Sequence, residues 1–308
     1  MRRAAIALIV WVLTGAATPA AVPPDVAAWA YPGTRPPPPR GGWDATVLRS
    51  VPGSSAHFTD AQLHDLDQVS DWRPAGHPPM PAPVAHGRAP GIHACGFCHL
   101  ANGGGRPENA SLAGLPASYI KAQVAAFADG SRTGAMPDWI PPKTMAEIAH
   151  AALPAEIDAA AGYFSKLHFH SRVRIVETAT IQHPVAVGFV LVPTGAREPI
   201  GERIVETPDD LARFELRDPD VGATAFVPPG SVAEGAQITR RIGCAACHGA
   251  GLKLWGAGRS PSYIFRQLTA FKTGARHDPE AAPMTAVAAR LTTHQMIAVA
   301  SFWASRTP

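Results

Sequence analysis

The sequence predicts a mainly α-helical protein with two small, similar domains, joined by a small antiparallel β insert and preceded by a proline-rich N-terminal arm. Three observations predict this arrangement: an internal repeat with helical spacing, strand-like patterns confined to the middle of the chain, and prolines concentrated before the first repeat. The chain has 308 residues, of which 46% are hydrophobic and 17% charged. This length suggests about two domains of roughly 100–200 residues each. A formal charge of only +3 gives no support to nucleic-acid binding.

The first 20 residues are typical of a signal peptide. Arg2 and Arg3 precede an apolar run over residues 4–13, and small residues then offer a cleavage site after Ala20 or Ala17. The apolar run is shorter than the roughly 20 residues that a membrane span needs. We therefore expect export, with no transmembrane span after cleavage.

Residues 21–81 form the predicted proline-rich arm. Pro36–Pro39 favours extended backbone. Thr59 is predicted to cap a short helix over residues 60–66. Three tryptophans, Trp72 among them, indicate that the arm packs on the rest of the protein; the alternative is an arm that docks a partner.

All four cysteines fall in two copies of C-x-x-C-H, the attachment motif of a c-type haem. The two copies supply the candidate haem-binding residues, namely Cys95, Cys98 and His99, then Cys244, Cys247 and His248. In this chemistry two thiols add to the haem vinyl groups and the adjacent histidine binds the iron. A zinc site or a thioredoxin-like pair would not need a histidine after the second cysteine in both copies. The sequence therefore predicts two covalently bound haem c groups and no disulfide.

The segments that follow the two motifs resemble each other. Residues 113–132 match residues 257–276 without a gap, and Tyr, Ile, Gln, Phe, Gly and Arg coincide at an offset of 144 residues. The apolar positions recur at helical spacing, and Gly130 and Gly274 are predicted to end the two helices. Thr292 is predicted to begin the last helix with a capping box.

The repeat also places a methionine before the last helix of each half. Met145 and Met284 hold equivalent positions, and a thioether suits the second axial position of a haem iron. Met136 is the alternative in the first half, but no methionine of the second half matches it. Ligation by two histidines, through His150 or His277, would break the repeat. The pattern favours Met145 and Met284.

Residues 168–230 form the predicted β insert. Four segments carry β-branched and aromatic residues between prolines: Phe169–Thr178, Val185–Val192, Ile200–Glu206 and Ala212–Leu216. Arg174–Thr178 recurs as Arg203–Thr207, which suggests two strands that pair with each other. The insert is interpreted as a spacer between the haem domains, with a binding module as the alternative. Ser231 and Glu234 indicate the start of the next helix.

Each half resembles a class I cytochrome c domain, with an N-terminal helix, C-x-x-C-H, a Tyr-containing helix, a loop bearing Met and a C-terminal helix. The chain as a whole resembles exported bacterial di-haem cytochromes c, and we place the two domains at residues 82–167 and 231–308. The resemblance implies ligation of one iron by His99 with Met145 and of the other by His248 with Met284. It also implies a periplasmic location, either free or at the outer face of the cytoplasmic membrane.

One departure from the family concerns the partner of the proximal histidine. Many members carry a proline there, whose carbonyl orients the imidazole. Ala110 stands at that position in this chain, so the carbonyl that accepts from His99 is left open. Arg132 and Arg276, which are equivalent in the repeat, either pair with haem propionates or are solvated.

The expected function is electron transfer rather than catalysis. The implied partners are redox proteins: a donor dehydrogenase or reductase, and an acceptor oxidase or another cytochrome. A subunit role in a larger oxidoreductase complex fits the same pattern. The alternative is a di-haem enzyme such as a bacterial cytochrome c peroxidase, whose catalytic haem needs an open axial position. Two equivalent methionines argue against that alternative.

Overall fold

The structure, a computed structural model, describes residues 26–33, 44–89, 91–253 and 255–308. The predicted signal peptide and Pro36–Pro39 lie outside these ranges. Among the described residues, none of the helices has the length and apolar character needed to span a bilayer.

The structure describes the arm over residues 26–33 and 44–81. Its elements include β1 (Leu48–Arg49), β2 (Phe58–Thr59) and the one-turn helix α1 (Asp60–Leu63), and a second one-turn helix, α2 (Ala82–Ala85), directly follows the arm. The predicted cap is confirmed, because Thr59 Oγ1 accepts from the Gln62 backbone N–H at 3.2 Å, but the helix ends at Leu63 rather than at residue 66. The buried Trp72 packs against Val51 and Leu63, and its indole donates to the Leu216 carbonyl at 2.7 Å. This part of the arm is thus packed on the insert.

The first repeat folds into four helices. They are α3 (Cys95–His99), α4 (Ala117–Ala128), α5 (Ile140–Ala151) and α6 (Pro154–Ser165). The core between them contains Val84, Ala113, Ile120, Ala161 and Phe164. The family pattern implies an N-terminal helix here, but among the described residues from 82 to the first motif the structure has only the single turn α2.

The insert contains five strands and one short helix. They are β3 (Val173–Glu177), β4 (Thr180–Val187), β5 (Val190–Pro199), β6 (Val205–Pro208), α7 (Leu211–Glu215) and β7 (Ala223–Val227). β4 and β5 form an antiparallel hairpin. β7 lies in the middle of a second sheet, parallel to β3 and antiparallel to β6. The insert is therefore mixed, and the prediction of a purely antiparallel insert is wrong.

Two predictions about individual strands also fail. Arg174–Thr178 and Arg203–Thr207 do not pair with each other, because the strands within them lie on opposite sides of β7. Val185–Val192 is not one strand, since the hairpin turn falls inside it at Gly188, where φ is 56°.

A third predicted strand, Ala212–Leu216, is mostly helical. Asp210 caps α7, because its carboxylate accepts from the Arg213 backbone N–H at 3.0 Å. This side-chain cap favours a helical turn over an extended strand. The structure instead forms β7, a strand that the sequence pattern did not predict.

The described residues of the second half form five α-helices. They are α8 (Ser231–Ile242), α9 (Ala245–His248), α10 (Pro261–Thr273), α11 (Ala282–Ala288) and α12 (Thr293–Ala304). The capping box at Thr292 is confirmed. α8 begins at Ser231 as predicted, but Gly230 is its N-cap and the Ser231 hydroxyl donates to the Pro228 carbonyl at 2.7 Å. α8 and α12 pack closely, because a Cβ at Gly235 would lie 2.0 Å from the Ala298 carbonyl oxygen.

The two halves meet where the helices of the repeat end. Arg132 and Arg276 form an isolated antiparallel bridge. Thr133 N–H donates to the Ala275 carbonyl at 2.7 Å, and His277 N–H donates to the Ser131 carbonyl at 2.8 Å. Equivalent positions of the repeat therefore face each other at this junction.

Candidate haem sites

The first C-x-x-C-H motif forms α3, and its histidine is held by a backbone carbonyl. His99 Nδ1 lies 2.8 Å from the Ala110 carbonyl oxygen. A carbonyl can only accept, so Nδ1 donates and Nε2 keeps its lone pair for a metal. The acceptor for His99 is therefore the carbonyl of Ala110, which stands where many family members carry proline. Burial lowers the pKa of the His99 imidazole, which keeps this ring neutral.

A cavity of about 700 Å³ lies beside this motif, within the range of roughly 300–1,000 Å³ usual for cofactor sites. Cys95, Cys98, His99 and Met145 all line it. Met145 lies inside α5 rather than in a loop, which corrects the family expectation. Met136, the alternative, is 5% exposed and packs in the apolar core with Trp139. The structure thus brings four of the predicted residues together.

The cavity suits a flat apolar group that carries carboxylates. Leu112, Leu115, Ile120, Val124, Phe127 and Phe164 contribute to its apolar walls. Five arginines also line it: Arg106, Arg132, Arg217, Arg259 and Arg266. Apolar walls together with guanidinium groups match the chemistry of haem, whose two propionates need cationic or hydrogen-bonding partners.

Three of these arginines lie outside the first repeat. Arg217 belongs to the insert, and Arg259 and Arg266 belong to the second half. Arg259 donates to the Ser111 carbonyl at 2.6 Å and to the Ala113 carbonyl at 3.1 Å. Sequence reasoning missed all three. The only signal was Arg259, which stands where the first copy has Leu115.

Arg132 and Arg276 are buried, at 7% and 6% exposure, so the prediction of solvated arginines is wrong. Gln123 Oε1 accepts from Arg132 at 2.7 Å and from Arg276 at 2.6 Å. Gln267 Oε1 accepts from the same two arginines at 2.9 and 3.2 Å. The Tyr263 hydroxyl accepts from Arg132 at 3.0 Å. Both guanidinium groups are therefore held in one polar network across the junction.

The cysteines of the first motif are poor nucleophiles in the folded chain. Burial raises the pKa of the Cys95 thiol to about 12 and also raises that of Cys98. Thiol addition needs the thiolate.

In the second motif, Cys244 is the N-cap residue of the short helix α9, which contains the other four residues. Cys244 is half-buried and Cys247 is exposed. The His248 ring packs against two tryptophans, with centroids 4.7 Å from Trp303 and 5.6 Å from Trp255. Met284 lies in α11, and it packs with Cys244 against the largest apolar core. The donor set is the same as in the first half.

Comparison with known proteins gives a curated relative and several solved structures. No protein-family model matches the sequence. The relative is the "thiosulfate dehydrogenase electron acceptor" of Thiomonas intermedia strain K12, which is 31% identical over 235 residues, covering 73% of this chain and 84% of the relative.

Among solved structures, the thiosulfate dehydrogenase TsdBA of Marichromatium purpuratum is 27% identical with a TM-score of 0.45 over 70% of this chain. This chain spans 37% of that protein's length. Cytochrome c4 of Acidithiobacillus ferrooxidans is 22% identical with a TM-score of 0.44, covering 68% of this chain and 98% of its own. Cytochrome c4 of Pseudomonas stutzeri is 19% identical with a TM-score of 0.42, covering 69% and 93%.

Proposed function

Because the chain belongs to the di-haem class I cytochromes c, we propose that it carries single electrons in the periplasm through two haems with His/Met ligation. The observation that carries this proposal is the first site, where both cysteines, the free Nε2 of His99 and Met145 face one apolar cavity. When bound, a haem supplies an iron that gains and loses one electron.

The protein's own residues hold and shield that group. Ala110 fixes the orientation of His99 through its carbonyl, which limits movement of the ligand when the charge of the iron changes. Met145 supplies a neutral thioether, which favours the reduced state relative to a second imidazole. The buried arginines that line the cavity would neutralise the propionates. The second haem takes the same donor set, with His248 and Met284.

We also propose the direction from which electrons arrive. The curated relative is called an electron acceptor of thiosulfate dehydrogenase. By this likeness, the donor for the present chain is a dehydrogenase of the same compartment, and export by residues 1–20 would bring the two together. The comparisons give no support to the peroxidase alternative.

Ligation at the first haem can be tested by exchanging each candidate methionine for leucine. We expect Met145→Leu to lose about half of the near-infrared magnetic circular dichroism band that arises from methionine–iron charge transfer, because one of the two irons loses its thioether. Met136→Leu, a matched core substitution, should keep the whole band. A loss of the band in Met136→Leu with retention in Met145→Leu would reverse the assignment.

The carrier function itself can be tested with the exported holoprotein. A pyridine haemochrome assay should give two haems per chain, and the protein should be reduced by thiosulfate in the presence of a thiosulfate dehydrogenase. Reduced protein that binds carbon monoxide rapidly at one iron would instead favour an enzyme with an open axial position.

A further inference from the structure

The two C-x-x-C-H motifs differ in how much of their surface is accessible. In the first motif, the two residues between the cysteines, Gly96 and Phe97, are buried. In the second, the corresponding residues Ala245 and Ala246 are exposed. A bound haem would cover Cys247. The exposure of the two motifs is therefore compared at the residues between the cysteines.

The arm covers one side of the first motif. A Cβ placed on Gly96 would lie 2.9 Å from Val69 Cγ2 and 2.9 Å from the Val84 carbonyl oxygen. Even an alanine, the residue at the equivalent position of the second motif, would need the arm to shift here. His64 and Leu66 of the arm also line the first cavity. The arm therefore closes this approach to the first haem.

The insert covers the other side. Arg217 donates to the Phe97 carbonyl at 2.8 Å, and its guanidinium lies 3.4 Å from the centre of the Phe97 ring. Arg106 donates to the Phe214 carbonyl at 3.0 Å and stacks 3.7 Å from the Phe214 ring centre. These contacts hold α7 and Arg217 against α3 and the residues that follow it. From this side, a partner protein would meet the insert before it reached Phe97.

The accessible second motif lies in a segment with charge of only one sign. Residues 235–277 contain seven lysines and arginines and no aspartate or glutamate. Arg240 and Arg241 are exposed in the last turn of α8, four and three residues before Cys244, and Lys253 is exposed shortly after His248. Small residues, Ala245 and Ala246 among them, lie between these cations.

We propose that the protein exchanges electrons with external partners through the second haem, at a basic patch formed by Arg240, Arg241 and Lys253 around Ala245 and Ala246, and that the partner presents an acidic surface. The first haem is the internal member of the pair. This inference rests on the proposed carrier function. Long-range attraction between opposite charges speeds encounter and is screened by salt, and a patch of small residues lets a partner approach the haem closely.

Charge reversal within the patch tests the proposal. Reduced holoprotein is mixed in a stopped-flow instrument with hexacyanoferrate(III), an anionic oxidant that stands in for an acidic partner. At low ionic strength, Arg241→Glu and Lys253→Glu should react about three- to tenfold more slowly than the unmodified protein. The difference should vanish at high salt, and a cationic cobalt(III) phenanthroline oxidant should show the opposite trend.

Two matched variants control for net charge and for position. Arg197→Glu makes the same charge change on the exposed surface of the hairpin, and Arg88→Glu makes it beside Glu156, at the first cavity. Both should react within about twofold of the unmodified protein, since neither belongs to the basic patch. Equal rates for all four variants, or slowing by Arg88→Glu alone, would overturn the proposal.

Two further outcomes separate this proposal from its alternatives. If Arg241→Glu and Lys253→Glu weaken binding to phosphatidylglycerol vesicles while their rates with hexacyanoferrate(III) stay unchanged, the patch is a membrane contact and the proposal fails. A protein that binds two haems and cycles reversibly, but shows no dependence on the patch, contradicts only this inference. A protein that does not cycle contradicts the carrier function itself.

Discussion

At the scale of single residues, His77 connects the arm to the last helix of the first half. Its Nε2 lies 3.1 Å from the Asp71 carboxylate, and its Nδ1 lies 2.9 Å from the Tyr163 hydroxyl. Tyr163 in turn donates to the Ala101 carbonyl at 2.7 Å. The hydrogen bond to Asp71 raises the pKa of His77 above its ordinary value.

This raised pKa predicts a dependence of stability on pH. A group whose pKa is higher in the folded state stabilises the fold fully below its unfolded pKa, roughly 6.5 for histidine. That stabilisation is lost as the pH rises through the folded value. The melting temperature should therefore fall between pH 6 and pH 8.5 by more in the unmodified holoprotein than in His77→Gln. Other titrating groups act alike in both proteins, so equal slopes would contradict the prediction.

At the scale of elements, two helical glycines have opposite roles. Gly235 lies where α8 crosses α12, and a Cβ there would meet the Ala298 carbonyl at 2.0 Å and the Phe302 Cβ at 2.7 Å. Gly162 lies inside α6, where a Cβ would have no neighbouring atom within 4 Å. One glycine permits close packing of two helices, whereas the other only lowers helix propensity.

Alanine substitution at these two positions should change stability in opposite directions. Gly235→Ala should lower the free energy of unfolding by about 1–3 kcal/mol, because the helices must move apart. Gly162→Ala should raise it by about 0.5–1 kcal/mol, because alanine favours the helix. Urea denaturation of the two holoproteins measures both changes. A neutral Gly235→Ala would show that α8 and α12 do not pack this closely.

The elements also differ in how far they can be predicted from the sequence. The helices of the repeat and the capping box at Thr292 follow from local spacing, because the interactions lie within one or two turns. The strand pairing of the insert does not follow from local spacing, because alternation of apolar and polar residues identifies a strand but not the strand beside it. Arg174–Thr178 and Arg203–Thr207 are alike in sequence, yet the strands within them pair with β7, on its two sides, and not with each other.

At the scale of the whole molecule, Gln123 joins the two halves. Its Oε1 accepts from one arginine of each half, at 2.7 Å from Arg132 and 2.6 Å from Arg276. Both guanidinium groups are buried. A buried cation that loses an acceptor keeps its desolvation cost without compensation.

Replacement of this acceptor should weaken the junction. Gln123→Leu should lower the free energy of unfolding by about 1.5–3 kcal/mol, as expected for hydrogen bonds to charged groups. Gln182→Leu, on the exposed hairpin, is the matched control and should change it by less than about 0.5 kcal/mol. Thermal or urea denaturation of the holoproteins gives both values. Equal stability of the two variants would show that the junction contributes little.

The candidate site was predictable only in part, because a sequence pattern does not show contacts between distant parts of the chain. Cys95, Cys98, His99 and Met145 belong to one repeat, so motif and periodicity find them. Arg217, Arg259 and Arg266 reach the first cavity from other parts of the chain. A repeat says which residues are equivalent, but it does not say which of them face the neighbouring half.

The contacts at the junction are reciprocal: Arg132 reaches Tyr263 and Gln267, while Arg276 reaches Tyr119 and Gln123. Such exchange of equivalent contacts is the pattern of a two-fold interface between identical subunits. Here the two partners are covalently linked, so the interface is that of a fused homodimer. The two halves cannot separate on dilution, because their covalent linkage replaces the bulk concentration with an effective concentration of about millimolar order. The two halves should therefore stay associated even where the protein itself is scarce.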